Sequence, residues 1–162
     1  MPSFKNILVP VDFSRLSTAA VRLGSSLAQH FEGTVTLVHV FDPLPYALRA
    51  DYELFTSEQQ KRLTSELAKS LATAKVRADT AGAPAVETRL LDGDVRKAIL
   101  EYARTGALDL IVMGTHGRRG LEHALLGSVA EYVVRNAPCP VLTVRVPDDE
   151  AGQAAVVWPP IP

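Results

Sequence analysis

Residues 110–145 read LIVMGTHGRRGLEHALLGSVAEYVVRNAPCPVLTVR. Their order decides the fold: a strand, a glycine-rich loop, a helix and a second strand. Leu110–Met113 is a short apolar run of the kind buried on both faces of a parallel sheet. Gly114, Gly117 and Gly120 end it. Gly127-Ser128 then opens a helix in which Val129, Tyr132, Val133 and Ala137 recur at helical spacing. Ser128 and Glu131 have the spacing of a capping box. A glycine loop between a strand and a helix N-terminus suits an anion, because backbone N–H groups and the positive end of the helix dipole converge there. Glycine also lets the backbone approach a phosphate closely and adopt positive φ.

Upstream, Asn6–Val11 (NILVPV) reads as the first buried strand. Pro10 cannot donate to a ladder, so it belongs near the strand's C-terminal end, with Asp12 following. Leu16, Ala19, Ala20, Leu23, Leu27 and Phe31 make one helical face, with Ser14 as cap and Gly33 as stop. Thr34–Val40 (TVTLVHV) is the second strand, which makes a right-handed βαβ unit with parallel pairing. Asp42–Thr56 is the longest irregular segment. Its Tyr46, Tyr52, Leu54 and Phe55 predict that it folds over the sheet edge or the site. Leu63, Leu67, Leu71, Ala74, Ala78 and Ala81 predict the next helix, capped by Ser57 with Gln60 and ended by Gly82. Val86–Leu91 is the third strand, and Asp94 caps a helix with Val95, Ala98, Ile99, Tyr102 and Ala103 inward. Leu108–Met113 and Pro140–Val146 complete five strands alternating with four helices. The fold class is α/β, a three-layer α/β/α sandwich on a five-stranded parallel sheet whose strand order the pattern leaves open.

The chain has 162 residues, 47% hydrophobic and 22% charged, as expected of one globular domain with a sizeable core. That domain is expected over residues 1–146, with 147–162 as a C-terminal tail. The tail carries no periodicity, and its Val156, Val157, Trp158 and Ile161 set docking against disorder as its two readings. A net charge of −1 argues against a nucleic-acid-binding surface across the molecule. The single cysteine, Cys139, allows no intramolecular disulfide and fits a reducing compartment. No apolar run approaches the ~18–20 residues of a membrane span, and no signal region precedes the first strand, so the expected location is cytoplasmic. His30, His39 and His123 match no metal-ligand spacing and read as ordinary surface or strand residues. Cys139, between Pro138 and Pro140, reads as a small buried residue. There is no P-loop G-x-x-x-x-G-K-[ST] and no dinucleotide G-x-G-x-x-G.

Gly114, two residues, Gly117, nine residues and Gly127-Ser128 form the nucleotide-phosphate motif G-x2-G-x9-G-[ST]. Together with the opening NILVPVDFS, this makes the chain resemble the ATP-binding branch of the universal stress protein family over about residues 4–146. The resemblance implies strand order 3-2-1-4-5, and hence a crevice between the first and fourth strands, where the order reverses. It implies that Pro10, Val11 and Asp12 contact the adenosine end of ATP and that Val40 lies against the adenine. Met113 and Gly114 would meet the ribose side. His116, Gly117, Gly127, Ser128 and Val129 would surround the phosphates, largely through backbone N–H groups. His116 and Arg118 would offset phosphate charge, while Arg119 points to solvent. Asp12 has a rival reading as a cap or turn residue, and Val40 as a plain core residue. Magnesium can bridge phosphate oxygens with few protein ligands. Asp12 is the only carboxylate well placed for chemistry, so the sequence favours binding over turnover; slow hydrolysis or adenylate transfer is the alternative. In order 3-2-1-4-5, Pro140–Val146 is an edge strand, and the resemblance implies a homodimer through it.

Overall fold

The computed structural model of the chain describes residues 3–42, 57–115 and 126–145, and the backbone of 155–157. The elements are β1 (Asn6–Pro10), α1 (Arg15–Phe31), β2 (Thr34–Phe41), α2 (Ser57–Thr80), β3 (Ala85–Asp92), α3 (Val95–Thr105), β4 (Leu110–Gly114), α4 (Ser128–Asn136), β5 (Val141–Arg145) and β6 (Ala155–Val157). The irregular segment after Asp42 and the loop carrying His116, Gly117 and Arg118 lie outside the described residues.

The sheet order is β3-β2-β1-β4-β5-β6. The first five strands are parallel, in the order 3-2-1-4-5 that the resemblance implies. The sixth comes from the tail, for which docking is one of the two readings. The backbone of β6 pairs antiparallel with β5, in the register Thr143↔Val157, Val144↔Val156 and Arg145↔Ala155. Within this chain β5 is therefore not an edge strand, which corrects the expectation for Pro140–Val146. An apolar strand with an open ladder side is a template for any extended segment that can reach it, and this chain supplies one.

Side-chain alternation along the strands divides the core in two. Ile7, Val9, Val35, Leu37, Val112 and Val144 face α1 and α2, with Ala20, Val21, Ala28, Leu71, Ala74 and Ala78 packed against them. Leu8, Val38, Val40, Ile111 and Met113 face the other way, onto Ile99, Leu100, Ala103, Ala130 and Val133 of α3 and α4. Strands so apolar on both faces sit between two helical layers, as parallel strands require.

The buried stripe of α1 differs from the expected one. Ser17, Ala20, Val21, Gly24, Ser25 and Ala28 are buried, while Ala19, Leu23 and Leu27 pack partly buried on its flanks. Small residues bring the helix axis close to the sheet. A Cβ on Gly24 would stand 2.8 Å from the Val9 Cγ2 atom. Ser14 caps this helix as expected, its hydroxyl accepting from the Ser17 N–H. Gly33 is needed for a close approach: a Cβ there would lie 2.7 Å from the Lys5 carbonyl oxygen. Asp94 caps α3 as expected, accepting from the Lys97 N–H at 3.0 Å.

Candidate functional site

Hydrogen-bond parity shows where the sheet opens. In a parallel pair a residue turns both its N–H and its C=O toward the same neighbour, and the next residue turns both away. The Val11 N–H donates to the Val38 carbonyl at 2.8 Å, so odd-numbered residues of the first strand face β2 and even-numbered ones face β4. Pro10 therefore faces β4, and it has no N–H to give. Pairing between β1 and β4 runs only through Ile7↔Leu110 and Leu8↔Ile111. Beyond that rung the two strands are not paired, and a crevice opens at their C-terminal ends. This is the switch point at which doubly wound sheets receive ligands.

The same parity identifies the backbone groups around the crevice. Ile111 donates to the Pro140 carbonyl and Thr115 to the Val144 carbonyl, both at 3.0 Å, so odd residues of β4 face β5. The Gly114 peptide groups thus turn toward β1, into the opening, whereas those of Met113 turn to β5 and its side chain is buried in the core. On β2, Val38 faces β1, and Phe41 faces β3, accepting from the Gly93 N–H at 2.9 Å. Val40 therefore presents its N–H and C=O on the β1 side, past the end of β1. The residue is 8% exposed, and its side chain belongs to the core.

The chain leaves β1 through Val11, Asp12 and Phe13. The Asp12 carboxylate accepts from the Ser14 N–H at 3.0 Å, an Asx-turn that fixes it at the rim of the crevice. Phe13 has φ 65°, a left-handed conformation uncommon for a side chain of this size. Its ring packs on the His39 imidazole at a centroid distance of 4.6 Å. The His39 Nδ1 lies 2.7 Å from the Val11 carbonyl oxygen. His39 is a residue of β2, as the sequence implied; its ring contacts with Val11 and Phe13 are visible only in the structure.

Across the crevice, the Gly127 N–H donates to the Thr115 carbonyl at 2.7 Å and ties the start of α4 to the end of β4. Gly127 is the N-cap of α4, at φ −72° and ψ 160°, and having no side chain it makes no cap bond. The expected Ser128–Glu131 capping box is absent, because Ser128 lies one position too far along, as the first helical residue. Serine can accept from N2 or N3 only from the N-cap position. The amides of the first turn, those of Ser128 and Val129 among them, receive no bond from the N-cap residue, and they lie beside the crevice. Pro10, Val11, Asp12, Val40, Gly114, Gly127, Ser128 and Val129 thus lie around one end of the sheet. His116, Gly117 and Arg118 fall outside the described residues.

Cys139 is half-buried, and burial, with the nearby Asp109 charge, pushes its thiol pKa up, which disfavours a nucleophilic thiolate. Among the described residues no three His, Cys, Asp or Glu side chains are grouped to hold a metal ion. No helix among them is long and apolar enough to cross a membrane.

Residues 3–145 match the model of the universal stress protein family. The chain is 37% identical over 150 residues to universal stress protein MJ0531 of Methanocaldococcus jannaschii, covering 91% of this chain and 85% of that one. The solved structure of hypothetical protein MJ0577 superposes with a TM-score of 0.80 at 29% identity, covering 91% of this chain and all (100%) of that one. A universal stress protein crystallised in complex with cAMP superposes with a TM-score of 0.68 at 25% identity, over 88% of this chain and 98% of that one. Family model, relatives and fold agree, and the chain belongs to the universal stress protein family.

Proposed function

We propose that this chain binds ATP in the crevice between β1 and β4 and acts as a nucleotide-dependent regulator of a stress response. The carrying observation is the break in the β1–β4 ladder at Pro10. It lies between the outward peptide groups of Val40 and Gly114 and the N-terminus of α4, whose N-cap glycine makes no cap bond. In this reading the N–H and C=O of Val40 form a donor–acceptor pair, the pattern that the ring nitrogen and exocyclic amine of adenine satisfy. Pro10 and Val11 line the adenosine end, and Asp12 accepts from a ribose hydroxyl. Met113 supports the ribose side from below, and Gly114 approaches the sugar closely. The amides of Ser128 and Val129 meet the phosphates beside Gly127, with His116, Gly117 and Arg118 contributed by the intervening loop. Magnesium would enter with the nucleotide, held mainly by phosphate oxygens. The family neighbour crystallised with cAMP supports an adenine nucleotide as the ligand class.

The assembly belongs to the same proposal: a homodimer through Pro140–Val146, in which a second copy's strand takes the place that β6 holds in the single chain.

The test is thermal unfolding of nucleotide-stripped protein with and without Mg-ATP. ATP at about 100 times its dissociation constant stabilises the native state by about 2.7 kcal/mol, a rise in Tm of roughly 5–10 °C for a chain of this size. The rise should vanish in Gly117→Val and Gly127→Val variants that keep the wild-type fold. No rise in the wild-type chain would refute ATP as the ligand.

A further inference from the structure

We propose that His39 is a positioning residue for the base-reading edge of the crevice, holding the Val11 carbonyl so that the Val40 peptide stays turned toward a ligand; this rests on the nucleotide reading above.

A carbonyl oxygen only accepts, so at 2.7 Å from the Val11 oxygen the Nδ1 atom of His39 carries the proton and donates it. The Val11 carbonyl is the acceptor that the next rung of the β1–β2 ladder would use. That ladder already contains the bond from the Val11 N–H to the Val38 carbonyl, and by parity the next donor is the Val40 N–H. His39 takes this acceptor from the side, between the two rungs, and so ends the ladder one bond early.

The ring also acts. Phe13 packs against His39 with the planes tilted by 32°, and Phe13 is the residue held at positive φ. That conformation turns the chain from β1 into α1 and sets Asp12 at the rim. A single side chain on β2 thus braces both the carbonyl of Val11 and the turn that presents Asp12.

Two substitutions separate these roles. His39→Asn places an amide nitrogen where Nδ1 stands and removes the ring. His39→Phe keeps a ring against Phe13 and removes the donor. Two readouts are taken on each folded variant: Mg-ATP affinity by calorimetry, and hydrogen exchange of the Val40 amide without nucleotide. In His39→Phe the Val40 N–H should close onto the freed Val11 carbonyl. Its exchange should slow, and ATP affinity should fall by about tenfold or more, the scale of one lost hydrogen-bonding position. His39→Asn should keep Val40 exchange and ATP affinity near the wild type. Unchanged Val40 exchange in His39→Phe overturns the proposal, as does an equal loss of affinity in both variants. The exchange measurement needs no nucleotide. A wild-type chain that fails to bind Mg-ATP would therefore refute the nucleotide reading, while Val40 exchange still decides on His39.

Discussion

Ser25 is fully buried on the sheet side of α1, and its hydroxyl has no hydrogen-bond partner among the described residues. A buried hydroxyl without a partner carries its desolvation penalty uncompensated. Ser25→Ala removes that penalty and raises helix propensity, against a small loss of packing. The chain should gain about 1 kcal/mol, read as a higher urea midpoint with unchanged slope. Asp94 behaves in the opposite sense. Its carboxylate accepts from the Lys97 N–H and pairs with Arg96, and both interactions lower its pKa from the ordinary 3.8. A depressed native pKa means stabilisation that is present above 3.8 and lost as pH falls through the lower native value. Asp94→Ala should cost about 1 kcal/mol at neutral pH through the lost cap. The gap between the variant and the wild type should narrow in denaturation curves taken below pH 3.8. A gap independent of pH would show that the charge on Asp94 contributes nothing.

The first turn of α4 can be tested directly, because its N-cap is glycine where α1 has Ser14 and α3 has Asp94. At φ −72° and ψ 160° the Gly127 backbone suits a residue with a side chain. Gly127→Asp should therefore cap the helix and lower ATP affinity together. A carboxylate at that position would accept from the amides that the proposal assigns to the phosphates, and would repel the phosphates by charge. The expected result is a small rise in stability without nucleotide, a few tenths of a kcal/mol, with Mg-ATP affinity falling more than about tenfold. Higher stability with unchanged affinity would remove the first turn of α4 from the binding site. The same elements show what the sequence disclosed. Runs such as NILVP and LIVMG are legible because strands buried on both faces need no polar positions. The inner stripe of α1 is not legible, because closeness to the sheet selects Ser17, Gly24 and Ser25, residues that a search for apolar periodicity passes over. The glycine spacing pointed to the end of β4 and the start of α4 as the candidate site, and Asp12 to its rim. The role of His39 was hidden, because it depends on where the β1–β2 ladder ends in three dimensions and on the positive φ of Phe13.

The sheet as a whole ends on one side in the three residues of β6, a strand shorter than any other described in the chain. Parity gives Thr143 and Arg145 the outward-facing peptide groups on β5 that meet β6, since Val144 turns toward β4, its carbonyl accepting from the Thr115 N–H. Val141 turns the same way but lies beyond Val157, the last β6 residue in the register. A second copy would present all five residues of its own β5, Val141–Arg145, in antiparallel two-fold pairing. The attached strand has the opposite advantage: its tether gives it an effective concentration of about a millimolar, whatever the protein concentration. On the proposed dimer the two occupants would compete for one edge, and the tail should weaken self-association. Deleting residues 147–162 should tighten the dimer by about tenfold or more, because dimerisation no longer requires a strand to be displaced. Sedimentation velocity over a concentration series of both chains measures this. If the truncated and full-length chains dimerise equally, the tail and the partner do not share β5, and the subunit contact must lie on another surface. If truncation instead leaves a monomer at all concentrations, the tail is itself the dimer contact, exchanged between two copies rather than folded back on one.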